Sequence, residues 1–393
     1  MPNEFIHDSK QDVRRAGQEV LLDVYKQLSL TVTRADNCEL LTNDNRKILD
    51  LYGGHAVMPL GYGDTDFLSS VQEQMTNLLF QSNLLPLDIR VQAAENLLKI
   101  APSSLSKVFF VNSGSEANEN ALKIACMYTK RKKILAVTGA FHGRSAAASA
   151  VTWNAKKSWY GFPRLPFDVD FIPRDDLNAA RDMINDEVAA VIVEPIQGVA
   201  GAYDLSHEFV MALRKGCDKV SAILIVDEVQ TGMGRSGNYF AIQNYNIEPD
   251  ILTMAKSLGG GVPCAALMIN QKYSSNLKMG DLGSTFGGGP IACAAINAVI
   301  KSIKKNNLLL NVKELEIKIR ETCQVGPIQR IQGKGFLLGL ICDRPAHEIQ
   351  SKLLKKDILT GTSAEKNILR LLPPLVLQTN HVNRLSEALA SIK

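Results

Sequence analysis

The chain has 393 residues, 46% hydrophobic and 21% charged, the balance of a globular protein with room for two domains. A net charge of +4 is too small to predict nucleic-acid or membrane binding. Seven dispersed cysteines with no CxxC pair exclude a disulfide framework and a zinc site, and six histidines show no metal-ligand spacing. Residues 1–10 are polar, with no apolar h-region. No run approaches the roughly 18 apolar residues of a membrane span, so a cytoplasmic protein is expected.

Residues 9–28 place Val13, Ala16, Val20, Leu21, Val24 and Leu28 at helical spacing, with Ser9 as the N-cap. Short strands are expected at 29–33, 38–42 and 47–51, with Asn43-Asp44-Asn45 turning between the last two. From about 65 the pattern changes. Helix 65–80 carries Phe67, Leu68, Val71, Met75 and Leu78 on one face, and helix 88–101 follows. Apolar strand segments then come at 107–111, 134–138, 168–172, 188–193, 222–226, 250–254 and 264–269, with helical segments between most of them. Several are continuous apolar runs, as in strands buried on both faces. An α/β fold with a mostly parallel, seven-stranded sheet is predicted. The basic run Lys130-Arg131-Lys132-Lys133 reads as a solvated helix end. Two helices are expected over 290–322. Strands 335–342 and 368–371 and helices 345–356 and 380–392 then form an α+β portion. The boundaries are 1–50 for the N-terminal part of a small domain, 51–289 for the large domain, and 290–393 for an interdomain helix and the rest of the small domain. No linker rich in Gly, Ser or Pro separates them, so they should pack closely.

Four places carry chemistry. Strand 107–111 runs into Asn112-Ser113-Gly114-Ser115-Glu116 and then a helix, the arrangement that offers free amides and a helix dipole to a phosphate. Taken alone it is equally a plain strand-to-helix turn. Phe141-His142-Gly143-Arg144 follows strand 134–138, where open α/β sheets place ligands. An aromatic there can stack on a planar ring and an arginine can grip a carboxylate, although core packing and a surface ion pair stay open for them. Asp227 ends an apolar strand and needs a buried partner, which a protonated ring nitrogen would supply. A helix cap or a divalent metal are its other readings, and no second carboxylate motif supports the metal. Lys256 follows the segment 250–254, ahead of a glycine run. It is either a lysine reaching for solvent or a desolvated amine that forms an imine. A phosphate cradle, a stacking aromatic, a ring-nitrogen partner and an imine-forming lysine together are what pyridoxal 5'-phosphate requires.

These segments, with Glu194-Pro195-Ile196-Gln197-Gly198, Gly283-Ser284-Thr285-Phe286-Gly287-Gly288 and Ile368-Leu369-Arg370-Leu371-Leu372-Pro373-Pro374, resemble the class III aminotransferases of PLP fold type I, most of all the acetylornithine and succinylornithine aminotransferases. The resemblance implies a large sheet domain and a small α+β domain built from both chain ends. It implies that Lys256 carries the cofactor as an imine and moves the proton. Gly114 and Ser115 then hold the phosphate, Phe141 stacks on the ring, Asp227 pairs with the ring nitrogen, and Gln230 contacts the ring oxygen. Thr285 would reach the phosphate of a partner subunit's cofactor, which implies a homodimer. Arg144 and Ser284 would contact the amino donor, Arg370 the 2-oxoglutarate carboxylate, and Tyr25 the substrate entrance. The implied reaction moves the δ-amino group of an N-acylornithine to 2-oxoglutarate, giving glutamate, in arginine biosynthesis. Ornithine, 4-aminobutyrate or another diamine is the alternative donor, and a non-catalytic ligand-binding homologue the remote one. One departure stands out. Ornithine-type members carry a glutamate after Gln-Gly that masks the second arginine, and here that position is Val199. Arg370 is then expected to stay unmasked unless another acid serves.

Overall fold

A computed structural model describes Gly17 and residues 19–393. The expected N-terminal helix lies largely outside the described residues, as do Ser9, Val13 and Ala16. Its second half is corrected. Beyond Val20 the chain is irregular, neither helix nor strand, up to the first strand, and Val20, Leu22 and Val24 are exposed. An amphipathic stripe without a surface to bury it against does not hold a helix.

The chain then forms β1 (Val32–Asp36), β2 (Glu39–Thr42) and β3 (Lys47–Asp50), the first shifted three residues from its expected start. The predicted turn is present, with Asn45 at φ 64°. The large sheet takes β4 (Leu105–Val111), β5 (Lys133–Val137), β6 (Asp168–Ile172) and β7 (Val188–Val193). A small ribbon, β8 (Ile196–Gln197) with β9 (Tyr203–Asp204), comes before β10 (Ile223–Asp227), β11 (Ile251–Met254) and β12 (Ala265–Asn270). The last third gives β13 (Ile328–Lys334), β14 (Leu337–Cys342), β15 (Ile358–Leu359), β16 (Gly361–Thr362) and β17 (Ile368–Leu371).

The predicted seven-stranded sheet has the order β4-β12-β11-β10-β7-β5-β6. Only β12 runs against its neighbours. Every residue of β7, β10 and β11 is buried, which explains their unbroken apolar runs. Each fully buried Val or Ile there contributes about 1.5–3 kcal/mol. Helix Gly114–Thr129 packs across this sheet, and helix Pro290–Lys305 packs against helices Thr65–Asn77 and Asp88–Ile100. Both helices expected over 290–322 are present, as Pro290–Lys305 and Leu308–Thr322.

The two ends of the chain meet in one sheet, where β15 adds in parallel to β3. A second four-stranded sheet has the order β13-β14-β17-β16. Its strand β13 was not expected, because Gln329, Arg330 and Gln332 break the apolar pattern and only Ile328, Ile331 and Gly333 are buried. Among the described residues no helix is long and apolar enough to cross a membrane.

Candidate active site

Six strands of the large sheet point the same way, so their C-terminal ends open on one crevice. A cavity of about 380 Å³ lies there, lined among others by Ser113, Gly114, Ser115, Phe141, Glu194, Val199, Asp227, Gln230 and Lys256. Five segments far apart in the chain thus converge.

Lys256 follows β11 and opens a short 3-10 turn with φ 46°, an unfavourable backbone for a side chain with a Cβ. Burial holds its ammonium below the ordinary lysine pKa, opposed by attraction to Asp227 and Glu194. Among the described residues no hydrogen bond or ion pair holds its Nζ. It is a desolvated amine facing a cavity, as one of its two readings required.

Asp227 is 3% exposed and held by three contacts that leave an acceptor position on Oδ1. Oδ2 accepts from Asn118 Nδ2 at 2.7 Å and lies 2.7 Å from His142 Nδ1, while Oδ1 accepts from Val229 N at 2.9 Å. Asn118 Oδ1 in turn accepts from Thr253 Oγ1 at 2.7 Å. The His142 amide donates to Thr152 Oγ1 at 2.9 Å, and its carbonyl accepts from Asn118 Nδ2 at 2.7 Å. These bonds fix the carboxylate in one orientation. Neither Asn118, His142 nor Thr253 was given a role from sequence, although His142 lies inside a quoted motif. Glu194 was also missed. It is buried, which pushes its carboxyl up to about 7, and Oε1 accepts from Phe141 N at 2.8 Å. The loop that carries Phe141 and His142 is therefore tied at both residues.

Ser113 caps helix Gly114–Thr129, its Oγ accepting from Glu116 N at 3.3 Å. The first helical amides, of Gly114 and Ser115, have no acceptor inside the helix. Close approach is built in. A Cβ at Gly114 would come within 2.7 Å of Val229, and one at Gly143 (φ 138°) within 2.2 Å of Ser115 Oγ. Gly143→Ala should therefore displace Ser115 and weaken phosphate binding at least about tenfold. Titrating the apo protein with pyridoxal phosphate measures it, and an unchanged Kd would remove Ser115 from the cradle.

The other expected site residues divide. Gln230 is buried at the cavity, and its Oε1 has no partner. Arg370 is 6% exposed and is not among the residues that line the cavity. It donates from Nε to Thr362 O at 2.7 Å, from Nη1 to Gly198 O at 3.1 Å and from Nη2 to Tyr52 OH at 2.7 Å. All three acceptors are neutral, so among the described residues no acid is hydrogen-bonded to Arg370; the buried Glu194 acts on it only through space. Arg144 is exposed at the rim, its guanidinium carbon 5.7 Å from the Phe141 ring centre and 6.0 Å from that of Trp159. Ser284 accepts from Asn112 Nδ2 at 3.3 Å, outside the cavity lining, and Thr285 is exposed on the same loop. Tyr25 is corrected. It is 68% exposed in the irregular N-terminal segment, in a surface cleft with Leu28, Arg46 and Lys355. With no helix over these residues, nothing carries it to the cavity of its own chain.

The donor set fits pyridoxal phosphate on this geometry. An amide-lined helix start, an orphaned Gln230 oxygen, a fixed carboxylate and a free amine surround one cavity of suitable size. The chain belongs to the class III aminotransferases, whose family model matches residues 22–392. It is thus a pyridoxal phosphate-dependent aminotransferase. Among curated proteins it is similar to the acetylornithine aminotransferase of Archaeoglobus fulgidus, 36% identical over 93% of this chain and 96% of that one. That of Methanocaldococcus jannaschii is 33% identical over 94% and 95%. Among solved structures it is similar to the ornithine aminotransferase of Toxoplasma gondii, with TM-score 0.91, 24% identity, and 97% and 94% coverage.

Proposed function

We propose that the protein transfers the δ-amino group of N-acetyl-L-ornithine or N-succinyl-L-ornithine to 2-oxoglutarate, in arginine biosynthesis. The single observation that carries the reading is Lys256 and Asp227 on one cavity, with a buried Arg370 that has no acidic hydrogen-bond partner and lies close enough to act on Lys256. The acetylornithine aminotransferases at 33–36% identity over almost the whole chain support the donor.

Gly114 and Ser115 hold the phosphate, Phe141 lies along the ring, and Gln230 meets the ring oxygen. Asp227 presents its carboxylate to the ring nitrogen. When bound, pyridoxal phosphate supplies the electron sink that lets a C–H bond next to the amine ionise. Lys256 Nζ takes the proton from the δ-carbon and returns one in the reverse direction, from within an enclosed site that limits exchange with water. Arg144 and Ser284 orient the donor at the rim, and Arg370 takes the carboxylate of 2-oxoglutarate.

Thr285 completes the phosphate site of a second copy, which makes the active enzyme a homodimer. Exposed Leu79, Phe80, Leu84, Leu85 and Phe286, with Phe80 and Phe286 ring centres 5.2 Å apart, offer an apolar surface for it. The seven unpaired cysteines suit the reducing cytoplasm.

The test is an absorbance scan while single amines are added without a keto acid. An acylornithine should convert the cofactor fastest. A preference for ornithine or 4-aminobutyrate would overturn the donor and keep the class. No cofactor band at all would point to a binding homologue. Val199→Glu places an acid near Arg370 and should raise the KM for 2-oxoglutarate about tenfold, with a smaller effect on the donor step. Unchanged kinetics in both steps would refute masking at this position.

A further inference from the structure

Gly53, Gly54, His55 and Ala56 have φ of 52°, 58°, 65° and 64°, one turn of left-handed backbone. For His55 and Ala56 this costs about 1–2 kcal/mol each. Such strain persists only where the surroundings enforce it, and it gathers at functional sites. Here the enforcement is visible. Asp50 Oδ1 accepts from Tyr52 N at 2.8 Å and Gly53 N at 2.9 Å. Ser257 Oγ, next to Lys256, donates to Ala56 O at 2.6 Å. Gly53 lies so near Leu372 O that a Cβ would approach within 2.8 Å, and Tyr52 lies so near Gly361 that a Cβ there would come within 1.9 Å of its ring.

This turn presents two side chains to Arg370. Tyr52 OH accepts from Arg370 Nη2 at 2.7 Å and lies 2.9 Å from His55 Nδ1. A hydroxyl that accepts from a guanidinium must send its own hydrogen elsewhere, and Nδ1 is the acceptor in reach. The charged groups facing His55 are Arg370, Lys256 and Arg144, all cationic, and together with burial they hold it below the ordinary imidazole pKa. A neutral ring leaves Nδ1 free to accept. Arg370 has five N–H groups, of which Thr362, Gly198 and Tyr52 take one each. One remains on each terminal nitrogen, the pair that a carboxylate grips.

We propose that His55, acting through the Tyr52 hydroxyl, is a positioning residue that sets how well Arg370 takes the keto-acid carboxylate, in the place where Val199 supplies no acid. The proposal rests on the assignment of Arg370 to 2-oxoglutarate. When His55 is protonated, Nδ1 donates to the Tyr52 oxygen instead. The phenol hydrogen is then released toward an incoming carboxylate, and the mouth gains a positive charge. Acceptor binding should tighten as pH falls below the ordinary imidazole value, while the donor step does not follow.

The experiment converts the holoenzyme to its amino form with excess donor, removes the donor, and follows the return of the aldehyde-form absorbance on mixing with 2-oxoglutarate from about pH 5.5 to 8.5. For the parent, apparent affinity should improve about fivefold toward low pH, the scale of one added partly solvated charge. His55→Asn keeps an acceptor and tolerates the left-handed backbone. It should stay within about twofold of the parent at high pH and lose the low-pH gain. Tyr52→Phe should weaken 2-oxoglutarate about tenfold at high pH, the scale of one hydrogen bond to a charged group, with the donor half-reaction intact. A parent-like pH profile in His55→Asn would overturn the proposal, and so would unchanged acceptor kinetics in Tyr52→Phe. Should Tyr52→Phe not fold, His55→Asn decides. Arg370→Lys separates the two levels: unaltered 2-oxoglutarate kinetics in that variant would overturn the assignment of Arg370 itself and the proposal with it.

Discussion

Lys256→Ala is expected to abolish transamination, by on the order of 10^5-fold or more, the scale seen when a covalent nucleophile is removed. No second amine replaces it. The described residues that line the cavity include no other lysine. In the proposed mechanism its Nζ both anchors the cofactor and carries the proton, so both functions should end together. The fold should survive, because the change removes a desolvated cation rather than a packed partner. Thermal unfolding should stay where it was or rise slightly. Bound pyridoxal phosphate should show altered visible absorbance, since its bond to the chain cannot form. Turnover within about tenfold of the parent at saturating cofactor would sink the assignment of Lys256.

The second large effect is expected for Asp227→Asn. Its Oδ2 accepts from both Asn118 and His142. An amide in that position sets an N–H against a donor, or turns and sets one against the Val229 amide. Either way a buried donor loses its acceptor. In the proposed arrangement the ring nitrogen would also lose the negative charge that keeps its proton in place. Loss of one fixed electrostatic partner at a reacting centre is worth about 10^2–10^3 in rate, and two coupled losses should reach the upper end. Single-turnover rates at saturating donor measure it. Cofactor affinity should fall far less, because the phosphate contacts proposed for Gly114 and Ser115 are untouched. A rate loss below about threefold would mean that the carboxylate serves only to hold the Phe141–His142 loop.

The parts of the site that depend on where strands end were legible in the sequence. Asp227 and Lys256 each stand at or after the last residue of an apolar run, and Gly114 and Ser115 stand where a strand changes to helical spacing. Those periodicities are local, so the crevice could be inferred without knowing the pairing order. Asn118, Thr253 and His142 were hidden because their role arises only where three strands and a helix come together. Tyr52 and His55 were hidden for another reason. Nothing in the composition of Leu51-Tyr52-Gly53-Gly54-His55 reveals a left-handed turn held by Asp50 and Ser257. The N-terminal segment failed in the opposite direction. Val13 to Leu28 carries a good amphipathic pattern, yet the described part is irregular in the single chain, where it has no apolar surface to lie on. Strand β13 was passed over because its polar residues point outward from a sheet whose other face is buried.

The meeting of the two chain ends bears on how the enzyme comes into being. The cofactor cradle is drawn from the stretch between Asn112 and Lys256, whereas Tyr52 and Arg370 are separated by 318 positions. Contacts over such a span form late, because the whole intervening loop must first be closed. During synthesis the ribosome releases the N-terminal portion first, and the segment carrying Arg370 emerges only near the end. β3 waits for β15 with an unpaired edge in the meantime. The order of assembly thus puts the cradle before acceptor recognition: a nascent chain has the cofactor's holding residues in hand well before it can distinguish one keto acid from another.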